Sequence, residues 1–291
     1  MSEESIRALP IWRGEIQIEP LSGGLTNLNY LVLDGESAFA VREGTDDPAL
    51  GISRSNELAC TRAAAEFGFA PRIAHAEEGI LVSDFITNST PLTPELLSDQ
   101  EALERTAKAI RAIHAAGPGI TGHLMYFSPF QVTRTYVRFA ADNDLALPRP
   151  ADDLLQFIRQ LQGSVSPSEP TFCHNDMMPG NFLDTGDRLW IIDWEYSGVG
   201  AYPLFDLAGL SSNCGFDAEQ DEMLLGTYSG DDETFVTGRA FQIMKAMAAL
   251  RESLWAVIQG SQTKIEFDYD GYRDENFEKF SAFRAVAMRH P

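Results

Sequence analysis

Along the first ninety residues the apolar positions fall in short runs rather than at helical spacing. Residues 16–21, 29–33 and 38–43 read as strands, and Asp34-Gly35 between the last two predicts a tight hairpin turn. The Ala-rich stretch 53–67 ends at Gly68, with Pro71 just beyond, which is the pattern of a helix with a glycine stop. Residues 72–76 and 80–85 follow as two more strands around a turn at 77–79, and the polar stretch 87–91 reads as a hinge. Beyond it the spacing becomes helical. Ser98 and Glu101 have capping-box spacing, and Leu103, Ala107, Ile110 and His114 mark one helical face up to Gly117-Pro118. Helices are also expected near 128–141, 151–162, 201–213, 217–228, 233–260 and 273–289. Two short apolar runs, 171–173 and 189–192, bracket a polar loop and a small hairpin. No internal repeat or low-complexity segment interrupts this order. The pattern predicts a small β-rich lobe followed by a larger helical one.

Charge narrows the partners. The 291 residues carry 22 Lys and Arg against 43 Asp and Glu, a net charge of −21. Nucleic acid and anionic membranes both need a cationic surface, so neither is expected as a partner. With 44% hydrophobic and 22% charged residues the composition is that of a folded globular chain, of one large domain or two lobes. No apolar run approaches the ~20 residues of a membrane helix, and the acidic start MSEESIRALP lacks the pattern of a signal peptide. Cys60, Cys173 and Cys214 are odd in number and widely spaced, which argues against a disulfide framework and for a cytoplasmic location. The five histidines show no zinc-ligand spacing.

The densest chemistry lies in Cys173-His174-Asn175-Asp176, with Asn181 five residues after Asp176 and Asp193 twelve residues further on, after an apolar run. This is the layout that phosphoryl transfer from a nucleotide needs. One carboxylate, Asp176, accepts the proton of an attacking hydroxyl, while the Asn181 amide oxygen and Asp193 hold Mg²⁺. His174 in such a loop orients it by hydrogen bonding, leaving the proton work to the carboxylate. Singly, these residues could equally cap a helix or end a strand. Ser22-Gly23-Gly24 lets backbone N–H groups approach anionic oxygens. A GG pair in a hairpin is also compatible with a plain turn, and the segment is neither a G-x-G-x-x-G nor a Walker loop.

HND-x₄-N followed by IDWEYSG and FDLA resembles the choline/ethanolamine kinase branch of the aminoglycoside-phosphotransferase-like kinases, and the likeness covers nearly the whole chain. The resemblance implies a two-lobed α+β protein-kinase-like fold, with residues 1–87 as nucleotide-binding lobe and 88–291 as catalytic and substrate-binding lobe. It implies ATP and Mg²⁺ as cofactors. Ser22, Gly23, Gly24, Thr26 and Asn27 would form the nucleotide-binding turn, and the backbone near Ser83–Ile86, with Ser83 and Phe85, would hold adenine. Arg42, in Phe39-Ala40-Val41-Arg42, stands where protein kinases have lysine and still supplies a cation that can fork onto phosphate. Glu57 on the following helix is its expected ion-pair partner. The acceptor implied is a small amino alcohol, choline first. A quaternary ammonium needs aromatic faces and nearby negative charge, so Trp255 and Tyr196 are the expected cage walls, Glu195 a pocket carboxylate, and Tyr202 and Asp268 further members. The rival readings are an aminoglycoside or other small-alcohol phosphotransferase, acting for example on ethanolamine or thiamine, and a kinase-like binding protein without activity. The sequence leaves the oligomeric state open between monomer and homodimer.

Overall fold

The computed structural model describes residues 3–21, 28–230, 238–263 and 265–289. A short helix, α1 (Glu3–Arg7), precedes an antiparallel meander of β1 (Ile16–Leu21), β2 (Leu28–Asp34) and β3 (Ser37–Glu43). After α2 (Arg54–Glu66), β4 (Ile73–Glu77) and β5 (Ile80–Asp84) complete a five-stranded antiparallel sheet in the order β1-β2-β3-β5-β4. Asp34 pairs with Ser37, so the loop is Gly35-Glu36, and Gly35 sits at φ 62°, the left-handed value a tight hairpin turn requires. Alternation puts Val32, Val41, Ile80 and Val82 on one face, where they close a small core with Ile6 of α1.

α2 ends as its sequence predicts, with Gly68 at φ 77° accepting the turn. Its buried residues Cys60 and Ala64 belong not to the sheet's core but to the large core of the helical part, together with Leu50 and Ile52 just before it. Buried Asn56 fixes this docking: its Nδ2 donates to the Ser197 carbonyl (2.9 Å), and its Oδ1 accepts from the Met125 amide (2.8 Å). On either side, the Tyr136 hydroxyl donates to the Leu50 carbonyl (2.8 Å) and the Ile191 amide to the Phe69 carbonyl (2.8 Å).

The chain then runs through β6 (Thr90–Pro91), α3 (Gln100–Ala116), β7 (Tyr126–Phe127), α4 (Pro129–Asp142), α5 (Ala151–Gln162) and β8 (Thr171–Cys173). It continues with β9 (Phe182–Asp184), β10 (Leu189–Ile191), β11 (Gly198–Gly200), α6 (Leu204–Cys214), α7 (Ala218–Ser229), α8 (Gly238–Gln262) and α9 (Tyr269–Ala287). The expected hinge thus contains a two-residue strand that pairs with β9, and the small hairpin is β9–β10. The N-cap of α3 is Asp99, whose carboxylate accepts from the Ala102 amide, rather than Ser98, whose hydroxyl bonds back to the Glu95 carbonyl. A full capping box occurs instead on α7, between Asp217 and Gln220. Helix α8 is buried almost all round from Phe241 to Gln259, and so serves as the central post against which α4, α6 and α9 pack. Of the expected stretch 233–260, residues 233–237 lie outside the described residues. Among the described residues no helix is long and apolar enough to cross a membrane.

Candidate active site

The loop after β8 is held from beneath by Asp206, buried at the start of α6. Its carboxylate accepts from the backbone amides of His174 (2.9 Å) and Asn175 (2.6 Å) and contacts His114 Nε2 at 2.8 Å. Burial alone would raise this carboxyl, but the hydrogen bond and charge of His114 outweigh it and leave Asp206 below the ordinary carboxylate value. Held this way, Asn175 takes the left-handed φ of 65°, which few non-glycine residues adopt outside constrained sites. His174 is fully buried and edge-on to Trp194 (4.7 Å); its Nε2 lies 3.0 Å from the Ile192 carbonyl, and its Nδ1 accepts the Asp176 amide at 3.3 Å. The histidine therefore joins the Asp176 loop to the strand end that carries Asp193.

Asn181 and Asp193 arrive from either side of the β9–β10 hairpin. Asn181 Nδ2 donates to the Asp176 carbonyl (2.9 Å), and its own carbonyl accepts the Ile192 amide (3.0 Å). Its side-chain oxygen is thereby left to face away from that anchor. Asp193, also left-handed at φ 65°, has no hydrogen-bond or ion-pair partner among the described residues. Burial, then the nearby carboxylates of Glu195 and Asp176, push it well above the ordinary value. An unpartnered carboxylate crowded by others is a place where a divalent cation relieves repulsion, and a second oxygen donor stands beside it in Asn181. The donor set fits Mg²⁺.

On the sheet side, Arg42 Nη2 meets Glu57 at 2.7 Å, so the cation of β3 and the acid of α2 do form the expected pair. Arg42 Nε and Nη1 are buried without partners, donors that an anionic oxygen would satisfy. A second arginine, Arg54, bridges Glu57 and Glu195 at 2.8 Å each. Glu195, expected as a pocket carboxylate, is buried and tied to α2. Ser22, Gly23, Gly24, Thr26 and Asn27 lie outside the described residues. Ser83 lies in β5, paired with Ala40 of β3 and Ile73 of β4, and Phe85 follows directly after that strand. The amides of Asp84 and Phe85 are taken by the Arg72 and Ala38 carbonyls, so an adenine contact by these two N–H groups would cost sheet bonds. Between sheet and helices a cavity of about 410 Å³ opens, with Glu43, Asp46, Arg54 and Gln259 in its wall.

Against Asp176, from α8, stand residues the motif did not point to. Arg251 of α8, only 3% exposed, places Nη1 2.7 Å from Asp176 Oδ1 and 2.8 Å from Glu252 Oε1. Glu252 Oε2 accepts from the Tyr272 hydroxyl (2.9 Å). Burial would lower the Arg251 guanidinium, but Asp176 and Glu252 outweigh it and hold it well above the ordinary arginine value. Its guanidinium carbon lies 4.1 Å above the ring centre of Tyr196. Trp255, 8% exposed, packs on Tyr269 and Tyr272 at 6.1 and 6.0 Å and belongs to the large core. Tyr202 stacks edge-on against Phe130 (5.2 Å) and touches none of these groups, and exposed Asp268 caps α9 through the Gly271 amide (2.9 Å). These last two positions are explained by packing and capping rather than by a pocket. The signal for Arg251 and Glu252 was present: they are adjacent charges inside an otherwise apolar stretch of α8, and buried charges need a partner or a task.

The family profile described as Phosphotransferase enzyme family matches residues 17–241. Protein LicA of Haemophilus influenzae is 25% identical over 269 residues, covering 91% of this chain and 77% of that protein. Probable choline kinase 1 of Arabidopsis thaliana is 25% identical over 305 residues, covering 91% of this chain and 86% of its own. Among solved structures, a choline/ethanolamine kinase family protein from Mesorhizobium loti superposes with a TM-score of 0.76 at 29% identity, over 98% of this chain and 97% of that one.

Proposed function

Since the chain belongs to the phosphotransferase enzyme family and moves phosphate to an alcohol, we propose that it transfers the γ-phosphoryl group of ATP to the hydroxyl of a small amino alcohol of the choline and ethanolamine kind. The observation that carries this reading is the convergence of Asp176, Asn181 and Asp193 on one loop-and-hairpin unit, with Asp193 within electrostatic reach of the Arg42–Glu57 pair between β3 and α2. In this reading Asp176 receives the proton of the acceptor hydroxyl as its oxygen attacks phosphorus. Arg42 neutralises phosphate oxygens through the donors it does not share with Glu57, and Glu57 holds it in place. Mg²⁺, when held by Asn181 and Asp193, supplies charge neutralisation on the transferring group. His174 and Asp206 fix the loop so that the base and the metal-side residues keep their spacing. The acidic surface and the carboxylates around Asp176 suit an acceptor that carries positive charge.

The experiment is a coupled measurement of ADP release with Mg²⁺–ATP against a panel of choline, ethanolamine, aminopropanol, thiamine and an aminoglycoside. Saturable turnover of an amino alcohol, with the phosphorylated product seen by mass spectrometry, is the expected result. Turnover confined to the aminoglycoside or thiamine would replace this reading with one of its rivals.

A further inference from the structure

We propose that Arg251 and Glu252 make the acceptor pocket selective for an ammonium group that still carries N–H bonds, so that a primary amino alcohol is used well and its trimethylated counterpart poorly. This rests on the reading above that the acceptor is an amino alcohol. A trimethylammonium group has no hydrogen to donate and is held by open aromatic faces within about 6 Å of the ring centre. Tyr196 is one of three tyrosine rings near Asp176, with Tyr136 and Tyr272, and the Arg251 guanidinium already covers its face at 4.1 Å, while Tyr136 is buried and Tyr272 is bonded to Glu252. Arg251 does not swing away cheaply, because it is 3% exposed and its departure would leave the Asp176 and Glu252 carboxylates without their shared cation. Trp255, the other ring expected to build a cage, is engaged with Tyr269 and Tyr272 in the core. The arginine therefore stands where a caged quaternary ammonium would stand.

What the pocket retains is acceptor oxygen. Glu252 takes one hydrogen bond on each oxygen, from Arg251 on Oε1 and from Tyr272 on Oε2. A carboxylate offers roughly four lone-pair sites, so Glu252 has capacity left for an N–H donor. Asp176 uses only Oδ1 toward Arg251, which leaves Oδ2 for the acceptor hydroxyl. Two carboxylates against one guanidinium leave one unbalanced negative charge, which a single ammonium group cancels. Hydrogen-bonded recognition of this kind discriminates more sharply than a hydrophobic slot, because a substrate that lacks the donor leaves the buried oxygen unpaired.

The test is kcat/KM of the full chain for ethanolamine, N-methylethanolamine, N,N-dimethylethanolamine and choline under identical Mg²⁺–ATP. The expected result is a fall of at least tenfold from the first to the last, steepest at the final methyl, which removes the last N–H. In Arg251→Met, which uncovers Tyr196, the ratio of choline to ethanolamine should rise at least tenfold even as kcat drops for both. In Glu252→Gln, ethanolamine should lose more than choline. If Arg251→Met does not fold, the methylation series on the unaltered chain decides alone. Choline used within tenfold of ethanolamine, or better than it, overturns the selectivity while leaving the amino-alcohol reading in place. No turnover of any of the four alongside turnover of another alcohol removes both.

Discussion

Asp176 carries one half of its chemistry in plain sight and the other half through Arg251. If Asp176 is the base proposed above, replacing it by Asn removes the proton acceptor and keeps the shape, so kcat should fall by about 10²–10⁴-fold while the KM for ATP changes little. Rapid-quench or steady-state rates that stay within a few-fold of the unaltered chain would mean that another group takes the proton. Asp206 makes a different prediction, on stability. Its carboxyl is held below the ordinary carboxylate value of about 3.9, so its contribution is complete above that value and disappears as pH falls through the folded one. The melting-temperature gap between the unaltered chain and Asp206→Asn should be constant from pH 7 to 5 and narrow below about pH 4. A gap that widens in acid would contradict the assignment. The contrast between these two residues also explains what the sequence could reveal. Asp176, Asn181 and Asp193 are close in sequence, so their spacing alone betrays them. Arg251 reaches the same point from α8, 75 residues away, and only the packing of that helix against the loop brings it there.

Elements were legible in proportion to their length. The strands of the five-stranded sheet and the long helices have enough positions to show a period, and their expected and observed ends differ by a few residues. The strands β6, β7 and β11 have two or three residues each, too few for alternation to register, so only β8 and the β9–β10 hairpin of the two small sheets were legible. One of those short strands gives a sharp prediction. Gly198 in β11 follows Ser197, and a methyl group placed on it would run into the Met125 carbonyl oxygen of the neighbouring segment. Gly198→Ala should therefore cost about 1–3 kcal/mol, from overpacking against backbone that has no rotamer to yield. That is roughly 2–4 °C of melting temperature per kcal/mol for a chain of this size. An unchanged melting temperature would show that the β7–β11 pairing gives way easily. The Tyr-Ser-Gly run after Glu195 thus reads as a structural seam as much as a chemical one, since Ser197 also receives Asn56.

At the scale of the whole molecule, two lobes were anticipated and two cores are found, and α2 lies between them. Sequence order assigns α2 to the first lobe. Burial and hydrogen bonding tie it to the second as well, through Asn56, Cys60 and the contacts at Leu50 and Phe69, while it still packs on β4 and pairs with Arg42 of β3. Apolar spacing identifies a helix without saying which of two surfaces it will cover, which is why this attachment could not be read from pattern alone. The consequence is mechanical. We therefore expect that, when a nucleotide binds, the part that travels is the sheet with α1, over a helix held to the larger body. The Arg42–Glu57 contact then works as the bearing between a moving plate and a fixed rail, with Arg54 and Glu195 bracing the rail from behind. Hydrogen exchange should show amides of β1 to β3 opening at a lower free energy than those of α2, with protection of the sheet alone rising on addition of ATP and Mg²⁺. Parallel protection of sheet and helix would mean that the whole front of the molecule moves as one block. On the proposed reading, a substitution at Asn56 would loosen the rail without touching either nucleotide or acceptor, so a grip on phosphate by Arg42 would depend on a side chain bonded to Ser197 and Met125 instead.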